Sequence, residues 1–158
     1  MMAMRQAMNA YGQATQTIPP AQQIVMLYDG IIKQLKVARG AVAERRINDR
    51  YVAVQKATSI IEALQSCLDF ENGGEIAPQL DQLYTHYVFR IQAINMENDI
   101  AICDELLERI GELRASWAAI ADTESKSATN APGTSADLQP KSNPGPNSNP
   151  GVTAAVTA

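Results

Sequence analysis

The sequence predicts an all-α fold: an antiparallel up-down four-helix bundle with a short N-terminal arm or helix and a disordered C-terminal tail. Three observations carry this. Four apolar stripes follow one another between Pro20 and Ala121, each with steps of three or four residues, the spacing that keeps one face of an α-helix apolar. The breaks between stripes are short, so successive helices must turn back on one another. No segment shows the period-two alternation between turn dipeptides that marks a half-buried strand.

The first stripe is Ile24, Leu27, Ile31, Leu35, Ala38 and Val42, opened by Pro19-Pro20, since proline is tolerated in a first helical turn. The second is Val54, Ala57, Ile61, Leu64 and Leu68, with Asn48 or Asp49 as its candidate cap. The third is Ile76, Leu80, Leu83, Tyr87, Ile91 and Ile94, with Pro78 close to its beginning. The fourth is Cys103, Leu106, Ile110, Leu113, Trp117 and Ile120, capped by Asn98 or Asp99. Between the second and third stripes the run from Leu68 to Ala77 contains Gly73-Gly74, a joint suited to a left-handed turn and to setting the angle between two helices. Gly111 interrupts the fourth helix at a cost of about 1 kcal/mol relative to alanine.

The chain divides into an N-terminal arm, residues 1–18, a bundle, residues 19–121, and a tail, residues 122–158. Five of the eight prolines fall in the tail among Ser, Asn, Thr and Gly, and large apolar residues are nearly missing there. Such a composition buries too little surface to offset the entropy of ordering, so the tail is expected to be disordered.

Composition narrows the function classes. The net charge is −4, and no basic block tracks a phosphate backbone, so no nucleic acid is expected as partner. No apolar run approaches the roughly 18 residues a membrane span needs, so no membrane insertion is expected. Cys67 and Cys103 are far apart and sit in helical patterns, which suits reduced thiols in a cytoplasmic protein. No apolar stretch of the signal-peptide kind follows Arg5.

Catalysis has no visible machinery. The single histidine, His86, raises the alternative of a phosphotransfer or signalling bundle, but Tyr87, Val88 and Phe89 follow it and only Arg90 is basic. Di-metal bundles use Glu-x-x-His pairs, and Leu83 stands where that glutamate belongs. The cluster of Asp104, Glu105 and Glu108 reads as a solvated helix face. No phosphate-binding glycine loop or nucleophile elbow is present. The chain is expected to be no enzyme, with neither a cofactor nor a metal site.

Binding surface remains. Val25, Ile32, Ile60, Tyr84, Val88 and Ile102 are apolar but lie off the core stripes. They read either as a broad core or as grooves for an amphipathic helical partner. Met1, Met4, Met8 and Tyr11 fall at helical spacing in the arm, and methionine suits surfaces that repack against different partners. The arm reads as a frayed terminus or as a short helix covering a groove until a client displaces it.

The residues then point to a family. Met26-Leu27-Tyr28-Asp29-Gly30 resembles a signature of the flagellin export chaperones, the FliS family, and so does Leu68-Asp69-Phe70-Glu71 followed by Gly73-Gly74-Glu75-Ile76-Ala77. Ala10-Tyr11, Leu83-Tyr84, Asn95 with Glu97-Asn98-Asp99, and Leu113-Arg114-Ala115-Ser116-Trp117 resemble further parts of the family pattern, in order, from about Tyr11 to Ile120. Thr17-Ile18-Pro19-Pro20 stands where the family has a longer linker.

The resemblance implies a cytoplasmic chaperone that binds the C-terminal segment of flagellin, prevents premature polymerisation and delivers it to a component of the flagellar export gate. The client would fold on binding, so its ordering offsets part of the contact energy. By resemblance and pattern together, the client-contacting residues are Tyr11, Ile18, Val25, Asp29, Ile32, Tyr84 and Val88. Tyr11 acts as a lid, and its truncation is expected to weaken client binding. Val25, Ile32 and Val88 line grooves, Tyr84 offers ring and hydroxyl at a groove edge, and Asp29 stands beside Gly30, where a client backbone can come close. Without client a homodimer through exposed apolar faces is a further expectation.

Overall fold

The computed structural model of the chain describes residues 2–11 and 18–130, the side chains of residues 2–4 excepted. It is all-helical there, with four long helices packed together and a short helix before them. In chain order these are α1 (Met2–Asn9), α2 (Pro20–Ala43), α3 (Ile47–Ser66), α4 (Ile76–Glu97) and α5 (Ile100–Thr129). Met1, residues 12–17 and residues 131–158 lie outside the described residues, so most of the expected disordered tail does too.

The up-down arrangement can be read from the polar contacts along each seam. Between α2 and α5, Ala21 N–H donates to Glu124, Asp29 accepts from Arg114, and Arg39 donates to Asp104. As α2 ascends in number α5 descends, so the two are antiparallel. Between α3 and α4, Gln65 reaches Asp81 and Thr85, Gln92 donates to Thr58, and Arg50 donates to Asn95 and Asn98. Helix α2 packs against α3 and α5, and α4 packs against the same two helices. Helices α2 and α4 therefore face each other across the bundle's diagonal.

The helix ends follow local chemistry. Pro20 occupies the first turn of α2, which has no side-chain cap at Pro19. The carboxylate of Glu124 takes its place at Ala21 N–H, where the helix dipole favours negative charge. Asn98, with φ of 51°, closes α4 in the left-handed conformation, and Asp99 opens α5 by accepting from Ala101 N–H. Both candidate caps of that joint are thus used, one for each helix.

Helix α3 departs from expectation. It begins at Ile47 with Arg46 before it and no side-chain cap. Asp49 instead accepts from the Arg46 guanidinium. The last helix also runs past Ala121 to Thr129, so the boundary expected at residue 121 cuts a continuous helix. Nothing in that turn after Ala121 is buried; Thr123, Ser127 and Thr129 return their hydroxyls to carbonyls four residues back, a local bond compatible with helix.

One contiguous core fills the bundle, drawn from every long helix. The second stripe is buried throughout, and the other stripes supply most of the remainder. Cys67 and Cys103 are both free, and burial with the nearby Asp104 carboxylate pushes the Cys103 thiol up to about 11. No helix among the described residues is long and apolar enough to cross a membrane.

Candidate functional site

The arm docks on the joint between α3 and α4. Asp69 organises that joint: its carboxylate accepts from the backbone N–H groups of Glu71 and Asn72 and from the Asn72 side chain, and these bonds hold its carboxyl below the usual range. The Asp69 N–H donates to the carbonyl of Ala10, which ties the arm to the loop. Gly73 makes the approach possible. A Cβ there would stand 2.9 Å from Ala10 Cα and 2.5 Å from Asp69 O. Gly74 follows at φ of 55°, in the region glycine enters without strain.

Docking carries Tyr11 into the bundle. Its ring meets Trp117 of α5 edge-on, with centroids 5.3 Å apart and planes at 75°, a favoured aromatic geometry. Its hydroxyl meets that of Tyr84 on α4 at 2.5 Å. The Tyr84 hydroxyl lies 2.7 Å from that of Tyr28 on α2. Three phenol oxygens thus form a chain from the half-buried arm to the middle of the bundle. Burial raises the pKa of all three tyrosines well above the ordinary phenol value, with the neighbouring phenols adding to it. The cluster stays protonated and neutral.

Of the seven residues expected to touch a client, the structure joins Tyr11 and Tyr84 directly. Val25 and Tyr84, expected in or beside open grooves, are buried core residues, and so is Ile102. Helix α2 is clasped by both α3 and α5, so its buried arc is wider than one stripe and takes in Val25. Tyr84 is covered because Tyr11 closes over it. Ile32 and Val88 are half-buried and packed against the core. Ile18 stays exposed outside that core, its carbonyl accepting from Gln23.

Asp29 does not stand open beside a glycine. Arg114 grips its carboxylate through two nitrogens, at 2.6 and 3.3 Å. Gly30 faces α3: a Cβ added there would lie 3.2 Å from Ile60 Cδ1. The close approach it permits is helix to helix. In the arm, Met8 is half-buried against the core, while Met1 and the Met4 side chain lie outside the described residues.

Tyr28 and Trp117 complete the cluster and were not among the expected site residues. The first apolar stripe runs through Leu27, yet Leu27 is only half-buried and Tyr28 is buried. Ile24, Tyr28, Ile31 and Leu35 also step by four, three and four. A buried tyrosine hydroxyl requires a partner, so tyrosines on several helices of one small core are a signal that their hydroxyls meet.

His86 is exposed, its ring tilted against that of Tyr87 at 5.9 Å. Among the described residues no group of His, Cys, Asp or Glu is placed to hold a metal ion. The acidic face of α5 is partly neutralised, because Arg90 donates to Glu105 and Arg109 lies 3.7 Å from it.

Comparison with known proteins identifies a family over most of the described chain. The family described as Flagellar protein FliS matches residues 3–124, a span that contains Tyr11, Tyr28, Tyr84 and Trp117. The flagellar secretion chaperone FliS of Vibrio cholerae is 37% identical over 98 residues, which are 62% of this chain and 72% of that protein. The flagellar secretion chaperone FliSB of Pseudomonas aeruginosa is 35% identical over 98 residues, 62% of this chain and 78% of that protein. The flagellar secretion chaperone FliS of Campylobacter jejuni is 32% identical over 119 residues, 75% of this chain and 93% of that protein.

Proposed function

The chain belongs to the FliS family of flagellar secretion chaperones, and from that premise we propose that it holds the C-terminal segment of flagellin in a groove its own Tyr11 now fills. It is a chaperone of the cytoplasm and no enzyme, and family membership displaces the phosphotransfer reading centred on His86. The observation that carries the groove is the seating of Tyr11 on Tyr84 and Trp117. This contact is made by a half-buried residue on a short arm rather than by one of the four long helices.

The arm is held by the Ala10–Asp69 hydrogen bond, by the Tyr11 seat and by the packing of Ala7, Met8 and Ala10 on the core. None of these contacts belongs to the seams between the four long helices, so the arm can leave without opening the bundle. Its departure uncovers apolar surface on α4 and α5 suited to an amphipathic segment. Val25 belongs to the core and Ile32 and Val88 pack against it, each within about one helical turn of Tyr28 or Tyr84 in sequence, and Ile18 precedes the start of α2. Because Tyr11 occupies the seat itself, its truncation should raise client affinity rather than lower it, the reverse of what the sequence suggested. Occupying the polymerising segment keeps flagellin monomeric until it reaches the export gate. Without client, the exposed rings of Tyr51, Phe70 and Phe89 favour self-association, which size-exclusion chromatography with and without client reports.

The test is calorimetric titration with a peptide spanning the C-terminal segment of the cognate flagellin. One-to-one binding with a large negative heat-capacity change supports coupled folding onto apolar surface. No heat of binding at micromolar concentrations overturns it.

A further inference from the structure

We infer that the seat filled by Tyr11 is a hydrogen-bond-donating one: the Tyr84 hydroxyl presents its proton to a neutral side-chain acceptor, a hydroxyl or carboxamide, on the segment that displaces Tyr11. The inference rests on the proposed exchange of Tyr11 for client and adds to it the chemistry the client must bring.

The polarity follows from the order of the groups. Tyr84 stands between two phenols, with Tyr28 at 2.7 Å on one side and Tyr11 on the other. It has a single proton to give. Among the described residues the hydrogen-bond partner of the buried Tyr28 hydroxyl is Tyr84, and a buried donor left without an acceptor is costly. Tyr28 therefore gives its own proton to Tyr84. The Tyr84 proton is left for Tyr11. When Tyr11 leaves, that proton faces the vacated seat.

The surroundings select the acceptor. Tyr84 is 1% exposed and sits among core residues from α2, α4 and α5, so a donor left unpaired there costs more than an ordinary hydrogen bond gains. The groups that meet the seat are the Tyr84 phenol and the Trp117 indole, neither of them cationic. A carboxylate would enter a seat with no cation to meet it. A neutral oxygen satisfies the donor without that penalty.

Calorimetric titration of the full chain with the flagellin C-terminal peptide tests this in three forms: Tyr11→Ala, Tyr11→Ala with Tyr84→Phe, and Tyr11→Ala with both Tyr28→Phe and Tyr84→Phe. The third form leaves no Tyr28 hydroxyl orphaned, so it answers the question even where the second is poorly folded. Loss of about fivefold or more in affinity is expected in each form carrying Tyr84→Phe. Truncating the peptide's polar residues one at a time should find one position that costs affinity when Tyr84 is present and is neutral with Phe. Unchanged affinity on removing the Tyr84 hydroxyl, or no such peptide position, overturns the inference and leaves the exchange of Tyr11 standing. A Tyr11→Ala chain that binds no more tightly than the parent overturns the exchange and the inference with it.

Discussion

The hydroxyl of Tyr84 lies 2.7 Å from that of Tyr28, joining two helices that face each other across the diagonal of the bundle. Neighbouring helices meet along whole seams, but α2 and α4 share no such seam, and this pair of phenols bridges them in the interior. Tyr11 then extends the bridge to the arm. The bundle's central cross-tie and the arm's seat are thus one group of atoms, and changes in either are felt by the other.

Tyr84→Phe should destabilise the bundle by about 1–3 kcal/mol, because it strands the buried Tyr28 hydroxyl. Tyr28→Phe with Tyr84→Phe should recover part of that loss, since neither partner is then left unpaired. Urea unfolding of the two variants checks this, and a pair as unstable as the sum of its singles would speak against the cross-tie.

The glycines should separate by their surroundings. Gly73→Ala forces a Cβ to 2.5 Å from Asp69 O and 2.8 Å from Ala77 Cβ, and a loss of about 1–3 kcal/mol is expected. Gly111→Ala meets nothing within 4 Å inside α5 and should gain about 1 kcal/mol. Thermal melts of the two single variants read opposite signs if this is right.

Acid should act partly through the arm's docking loop. The Asp69 carboxyl is held below its ordinary range by the Asn72 side chain and by backbone N–H groups. A folded-state pKa below the unfolded one contributes stability above the unfolded value, and that contribution is lost as pH falls through the folded value. Asp69→Asn keeps an oxygen for the loop's N–H groups but no longer titrates. Its melting temperature should vary less with pH on the acid side than that of the parent.

The bundle was legible in the sequence because each stripe repeats through five or six residues at helical spacing. Asn98 and Asp99 were legible because left-handed closure and side-chain capping both call for short polar residues. The last turns of α5 were not, since Asp122 to Thr129 contains no large apolar residue whose period could be read. Its helix continues from an established one, where each added residue no longer bears the cost of nucleation. The candidate site was half legible. Tyr11 and Tyr84 stood out by resemblance, but a stripe read through Leu27 hid Tyr28. That Val25 and Tyr84 are buried depends on two neighbouring helices and the arm, contacts distant in sequence. Nor could a helical period show that Gly30 serves Ile60 or that Asp29 is held by Arg114.

The central claim is that client and Tyr11 compete for one seat, and the single tryptophan, Trp117, lies against it. The measurement is Trp117 fluorescence during titration with the flagellin C-terminal peptide, in the parent and in Tyr11→Ala. The account predicts a saturable change at one peptide per chain and tighter binding in Tyr11→Ala. It also predicts that the free Tyr11→Ala spectrum departs from the parent's before any peptide is added. Saturable binding with equal affinity in the two chains would contradict it.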